Sequence, residues 1–130
     1  MKITDLKPTI VWKFFHQVTQ VPRPSKKEGK MIEFLESFAK EYKIAIKKDE
    51  AGNLLMSKPA TPGMEDRPVV VLQSHMDMVC EKNNGTKHDF DNDPIETIVD
   101  GEWLRANGTT LGADNGIGVA AELALLASDD

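Results

Sequence analysis

Apolar positions recur with helical spacing in two segments near the start of the chain. Residues 5–19 place apolar side chains on one face at the period of an amphipathic helix. The proline-rich segment 21–24 ends this helix, because proline lacks the amide hydrogen that a helix interior needs. Ser25 and Glu28 then match a capping box, in which the two side chains bind free amides at a helix start. We therefore predict a second helix that begins here and ends near Tyr42.

After the second helix the pattern changes from helical to alternating. Residues 43–48 alternate polar and apolar side chains, residues 51–53 supply a turn, and residues 54–56 resume the apolar pattern. This pattern predicts a hairpin or a pair of adjacent strands. Residues 95–104 predict a second hairpin, with Asp100-Gly101 as a type I′ turn pair.

Residues 69–72 form a continuous and mostly β-branched apolar run, which is typical of a strand buried on both faces. His75 and Asp77 follow at the carboxyl end of this predicted strand. Further along the chain, the glycine-rich loop 107–116 leads into a third helix. In open α/β sheets, ligand crevices form at the carboxyl ends of the strands, so this edge is the expected place for a site.

The order of the predicted elements is two helices, three strands, a hairpin and a final helix. This order predicts an α/β fold, specifically a three-layer domain with a mixed sheet. The pattern is incomplete, because the last helix of such a unit normally leads into a further strand. We therefore expect residues 1–130 to be the N-terminal part of a larger catalytic domain.

Composition narrows the possible functions. The net charge is -5 and the basic residues form no stripe, which argues against a nucleic-acid or anionic-membrane partner. Cys80 is the single cysteine, so no intrachain disulfide is possible and a cytoplasmic location is expected. The sequence start does not match a secretory signal, and no apolar run approaches the roughly 18 residues of a membrane span.

His75 and Asp77 have the spacing of a metal ligand and its orienting partner. A metal-bound imidazole needs an acceptor for its other ring N–H, and a nearby carboxylate supplies one. The alternative is a histidine that simply has a satisfied hydrogen bond at a strand end. Asp114 lies among small residues just before the third helix, and its two oxygens could bridge a pair of metal ions. Its alternative role is to cap that helix.

Two other motifs have less support. Gly116 and Gly118 fit the glycine spacing of a dinucleotide-binding turn, but no β-branched strand leads directly into them. Residues 89–93 resemble the start of a calcium loop, but Pro94 stands where that loop needs glycine. We therefore interpret residues 89–93 as an acidic solvated loop.

Two segments together resemble a known family. They are Val-Val-Val-Leu-Gln-Ser-His-Met-Asp-Met-Val, which contains His75 and Asp77, and Thr-Thr-Leu-Gly-Ala-Asp-Asn-Gly-Ile-Gly, which contains Asp114. They resemble the two-zinc exopeptidases and deacylases of the aminoacylase/carboxypeptidase type. Within that group the closer resemblance is to the aminoacyl-histidine dipeptidases, also called Xaa-His or cytosol non-specific dipeptidases. The opening helices with Val-Pro-Arg-Pro-Ser and the Asp-Glu-Ala-Gly-Asn-Leu hairpin extend the resemblance over essentially the whole chain.

The resemblance implies a role for each candidate residue. His75 would ligate one Zn²⁺, Asp114 would bridge the two Zn²⁺ ions of the complete site, and Asp77 would orient His75 as part of the catalytic site. Mn²⁺ or Co²⁺ are possible substitutes. The family often has a cis peptide after the bridging aspartate, which here would be Asp114–Asn115.

The resemblance also implies parts that these residues do not contain. The family pattern continues with a Glu-Glu pair that supplies a general base and a ligand, a further acidic ligand, a late histidine and a lid domain that often mediates dimerisation. A catalytic zinc usually has three protein ligands, and this chain offers at most two. We therefore expect metal-dependent dipeptide hydrolysis by the parent enzyme, for which the resemblance also implies a homodimer, and no activity of this part alone. The alternative is a non-catalytic binding module of the same fold.

Overall fold

A computed structural model describes residues 1–129 as three helices and two β-hairpins. A short 3₁₀ turn, Ile3–Asp5, precedes the first helix. The elements in chain order are α1 (Thr9–Thr19), α2 (Gly29–Glu41), β1 (Ala45–Lys48), β2 (Leu54–Ser57), β3 (Thr97–Asp100), β4 (Trp103–Ala106) and α3 (Ala113–Ala127). None of the helices within residues 1–129 has both the length and the apolar character needed to cross a membrane.

The core lies between the apolar faces of the three helices. Phe14 of α1 packs edge-to-face on Phe38 of α2, with ring centroids 5.5 Å apart. Phe38 in turn lies against Tyr42, at a centroid distance of 4.6 Å. The main buried side chains of the three helices are Phe14, Phe15, Val18, Met31, Leu35, Phe38, Val119, Ala120 and Leu123.

The ends of α1 and α2 test the helix predictions. Helix α1 begins at Thr9 rather than at residue 5 because Pro8 is its N-cap and a residue before proline is disfavoured in helical geometry. Its predicted end is confirmed. The capping box is wrong, since α2 has Glu28 at its N-cap without a side-chain cap, and the Ser25 hydroxyl donates to Asp77 instead.

Both predicted hairpins are confirmed. Strands β1 and β2 pair antiparallel from Ala45 with Ser57 to Lys48 with Leu54. Strands β3 and β4 pair from Thr97 with Ala106 to Asp100 with Trp103. The tip of the second hairpin is therefore Gly101 and Glu102, one residue later than predicted. Gly101 takes the first of these positions with a φ of 61°, which glycine adopts without steric cost.

The buried strand predicted for residues 69–72 is wrong for the described structure. These residues belong to no strand, and Val69 and Leu72 are 91% and 53% exposed. A strand buried on both faces needs neighbouring strands at its edges and layers above and below it. The strands within residues 1–129 pair only as the two hairpins, in two separate sheets, so they supply no such neighbours.

Replacement of Phe14 by alanine tests the helical core. Phe14 is 1% exposed, so Phe14→Ala should lower the free energy of unfolding by about 3–5 kcal/mol. Leu55→Ala is the control, because Leu55 is 59% exposed and its truncation should change stability by less than about 0.5 kcal/mol. Urea unfolding followed by circular dichroism measures both. Equal losses in the two variants would contradict this packing.

Candidate metal centre

Two chain segments meet at the candidate site. The first is the segment with His75 and Asp77, which follows the exposed apolar run 69–72. The second is the loop before and at the start of α3, where Gly112 is the N-cap with a φ of 75° and Asp114 and Asn115 have non-helical backbone angles. This irregular start directs the Asp114 carboxylate to His75 rather than to the helix axis.

The imidazole of His75 lies between two carboxylates. Its Nδ1 is 3.0 Å from Oδ1 of Asp77, and its Nε2 is 3.0 Å from Oδ1 of Asp114. The Asp77 side chain is 32% exposed, whereas that of Asp114 is 96% exposed. Asp77 is thus partly buried, and Asp114 is open to solvent.

The two carboxylates raise the pKa of the His75 imidazole. The hydrogen bond with Asp114, followed by the contacts with Asp77, raises the pKa of His75 above its ordinary value, although desolvation opposes this. The hydrogen bond from Ser25, and then the contacts with His75, lower the pKa of Asp77. Asp77 therefore stays ionised as an acceptor at neutral pH.

The donor atoms lie near the spacing that a single metal ion requires. With each donor about 2.0–2.1 Å from a tetrahedral zinc, two donors lie about 3.3 Å apart. The observed separation of His75 Nε2 and Asp114 Oδ1 is 3.0 Å, close to that value. With Asp77 on Nδ1, Nε2 is the ring nitrogen that could take a metal ion. The residues present therefore fit one part of a metal site.

The set of ligands is incomplete within the described chain. Residues 1–129 contain no group of three or more His, Cys, Asp or Glu side chains that could hold a metal ion.

The peptide bond Asp114–Asn115 is cis, as the resemblance implied. The alternative role of Asp114 as a helix cap is not observed, since its carboxylate contacts His75.

No protein-family model matches the chain. The chain is 49% identical over 129 residues to the cytosol non-specific dipeptidase of Escherichia coli K12, which covers 99% of the chain and 27% of that relative. The crystal structure of aminoacylhistidine dipeptidase from Vibrio alginolyticus matches with a TM-score of 0.97 at 48% identity, over 100% of this chain and 26% of that one. The resemblance to the aminoacyl-histidine dipeptidases is confirmed.

The same match confirms the α/β fold class. A tripeptidase structure from Staphylococcus aureus also matches, with a TM-score of 0.72 at 24% identity over 90% of this chain and 31% of that one, and shows the fold alone. The chain therefore spans about a quarter of the length of the dipeptidases that it resembles.

Sequence reasoning missed two residues that hold this dipeptidase-like site together. The Arg23 side chain is 1% exposed, and its Nη2 donates to the Gly112 carbonyl at 2.8 Å. The Ser25 hydroxyl donates to Oδ2 of Asp77. Burial lowers the pKa of Arg23, an effect that Cys80 and Asp77 oppose. The glycines around Asp114 were the one sequence signal for these contacts. They indicate that another group packs closely against the loop, but they do not identify it as Arg23.

The glycines of the Asp114 loop make room for the Arg23 guanidinium. A Cβ atom at Gly112 would lie 2.5 Å from Nη2 of Arg23 and 2.8 Å from Sδ of Met78. A Cβ atom at Gly116 would lie 2.7 Å from the same Nη2. Real Cβ atoms essentially never come this close to another heavy atom, so the guanidinium would have to shift. Its hydrogen bond to the Gly112 carbonyl opposes that shift. The loop therefore needs glycine at both positions.

Alanine at Gly112 tests this close approach. Gly63 is a matched control, because its φ of 87° is also left-handed but nothing lies within 4 Å of a Cβ atom built there. Gly63→Ala should cost only the left-handed backbone penalty of about 1–2 kcal/mol. Gly112→Ala should cost about 1–3 kcal/mol more, because it also crowds Arg23 and Met78. Denaturant unfolding of both variants gives the difference, and equal costs would contradict the packing.

Proposed function

We propose that the chain is the N-terminal part of a two-metal dipeptidase that hydrolyses Xaa-His or a broader range of dipeptides. The observation that carries the proposal is the position of the His75 imidazole, 3.0 Å from Asp114 on one side and 3.0 Å from Asp77 on the other. The 49% identity to the Escherichia coli dipeptidase supports it. A cytoplasmic location is part of the proposal, in keeping with the single cysteine and with the cytosolic name of that relative.

Each residue has a proposed role in holding metal. His75 would ligate one Zn²⁺ through Nε2, and Asp114 would bridge two Zn²⁺ ions through its two carboxylate oxygens. The 96% exposure of the Asp114 side chain supports this role, because both oxygens are accessible. Mn²⁺ or Co²⁺ could substitute, since imidazole and carboxylate ligands suit these ions as well.

Asp77 would act through His75. Its Oδ1 would accept a hydrogen bond from Nδ1–H, which favours the tautomer whose Nε2 lone pair can bind a metal in place of its contact with Asp114. The hydrogen bond to Ser25 and its own ionisation keep Asp77 an acceptor throughout. When bound, the metal ions would supply an activated water near neutral pH and polarise the scissile carbonyl. The general base and the remaining ligands would come from outside residues 1–130.

The exposed apolar run 69–72 supports the proposal that this chain is part of a larger domain. Val69, Val70 and Val71 are each more than three-quarters exposed. Contiguous exposed apolar side chains normally mark a surface that another part of the protein covers. Further strands of the same catalytic domain would bury the run, and a separate lid domain would mediate any homodimer. The chain's 27% share of its relative's length is consistent with this.

Replacement of His75 tests the metal role. In the full-length protein, His75→Ala should lower zinc affinity at least tenfold, because one of the few protein ligands is lost. His16→Ala is the control, since His16 lies on α1 and has no contact with the site. Zinc content after dialysis against a chelator, measured by mass spectrometry, gives the answer. Unchanged zinc in His75→Ala would mean that His75 is not a ligand.

Hydrolysis assays test whether dipeptidase activity needs the full-length protein or is present in the 130-residue chain alone. With Zn²⁺ or Mn²⁺ present, the full-length protein should hydrolyse dipeptides, and the purified 130-residue chain should show no turnover above background. The reason is that two ligands without a general base cannot complete the site. Turnover by the isolated chain would contradict the proposal. A full-length protein that binds zinc but hydrolyses no dipeptide would favour a non-catalytic binding module.

A further inference from the structure

Residues 23–25 run alongside the segment that carries His75 and Asp77. Pro24 and Met78 form a parallel β-bridge. The Met78 amide donates to the Arg23 carbonyl at 3.0 Å, and the Ser25 amide donates to the Met78 carbonyl at 3.3 Å. This backbone pairing places the side chains of Arg23 and Ser25 against the candidate site, although they precede it by fifty residues or more.

Ser25 holds the carboxylate of Asp77 from the side opposite His75. Its Oγ donates to Oδ2 of Asp77, while Oδ1 of the same carboxylate accepts from Nδ1 of His75 at 3.0 Å. A carboxylate rotates easily about its terminal torsion, which is broad and roughly two-fold. With both oxygens engaged, the carboxylate of Asp77 has one orientation, and so does the imidazole that it holds.

Arg23 links the two segments that carry the ligands. Its Nη1 lies 3.2 Å from the carbonyl of Met76, the residue between His75 and Asp77. Its Nη2 donates at 2.8 Å to the carbonyl of Gly112, just before the cis-linked Asp114. The guanidinium is rigid and planar, so it fixes the distance between the two carbonyls that it joins. The separation of the two ligand residues therefore depends on Arg23.

We infer that Arg23 and Ser25 are positioning residues of the metal centre, with Ser25 setting the orientation of the His75 imidazole and Arg23 setting its distance from Asp114. This inference rests on the proposed function, in which His75 and Asp114 hold metal. Neither residue contacts the metal or the substrate. Their effect is on metal affinity and coordination geometry, since partners that orient a ligand typically change affinity by about 10–100-fold.

Ser25 offers the cleaner test because its side chain is exposed, so truncation should leave the fold intact. In the full-length protein, Ser25→Ala should weaken zinc affinity about 10–100-fold, measured by competition with a chromogenic chelator. Ser25→Thr keeps the hydroxyl at an exposed position, so its zinc affinity should stay within about threefold of that of the unsubstituted protein. Ser57→Ala is the matched control, because Ser57 is an exposed serine on β2.

The visible absorption spectrum of the Co²⁺-substituted protein reports coordination geometry independently of activity. Ser25→Ala should shift the cobalt bands, whereas Ser25→Thr and Ser57→Ala should match the parent protein. Arg23→Lys should shift them too, since one ammonium cannot span both carbonyls. Because Arg23 is buried, the spectrum of Arg23→Lys is compared only after its melting temperature shows a folded protein. An unchanged cobalt spectrum in folded Arg23→Lys overturns the positioning role of Arg23, and Ser25→Ala decides that of Ser25.

The outcomes separate this inference from the proposed function. If His75→Ala loses zinc but Ser25→Ala keeps both the affinity and the cobalt spectrum of the parent protein, the positioning role of Ser25 is overturned and the metal site stands. If Ser25→Thr fails to restore affinity, the hydroxyl is not the active feature and the inference is also overturned. If His75→Ala retains zinc, the proposed function itself fails, and the positioning role fails with it.

Discussion

The arrangement of the candidate site depends on the buried guanidinium of Arg23. It donates hydrogen bonds to carbonyls of the segment around Met76 and of the loop at Gly112, which are far apart in sequence. A buried charged group is tolerated only when it is well paired. Here backbone carbonyls accept from Nη1 and Nη2, while Nε has no hydrogen-bond partner among the described residues. Gly112 and Gly116 leave the space that the guanidinium occupies. The Val-Pro-Arg-Pro segment and the glycine loop, which look unrelated in the sequence, therefore form one packed unit.

This packing explains how the short motif His75-Met76-Asp77, which alone is weak evidence of function, becomes part of a candidate metal site. His75 and Asp77 alone form a pattern that is common at strand ends. The loop at the start of α3 adds a carboxylate at 3.0 Å from the second ring nitrogen, with its side chain 96% exposed. The result is one oriented imidazole and one open carboxylate, which are two side chains that could ligate metal in the proposed two-metal hydrolase. The dipeptidase likeness of the chain gives this geometry its proposed function.

Local patterns in the sequence predicted local structure well. Alternation predicted both hairpins, and helical periodicity predicted the ends of α1 and α2. The start of α1 and the tip of the second hairpin were misplaced by a few residues, but the larger failures involve partners that are distant in sequence. Ser25 has the local pattern of a cap, but Asp77 offers its hydroxyl a carboxylate acceptor. Residues 69–72 have the composition of a buried strand, but burial depends on neighbours outside the described residues. Arg23 could not be found, since one arginine between prolines is typical of a solvated loop. The roles of His75, Asp77 and Asp114 came from the family resemblance, and they remain predictions.

The most direct test of the account is the position of the metal itself. Anomalous diffraction at the zinc edge, from crystals of the full-length protein grown with zinc, would locate each ion. The account predicts one zinc about 2.0–2.1 Å from Nε2 of His75 and about 2.0–2.2 Å from an oxygen of Asp114, and a second on the other oxygen of Asp114. Asp77 should remain on Nδ1 of His75. Zinc bound elsewhere, with His75 and Asp114 free of metal, would contradict the central claim.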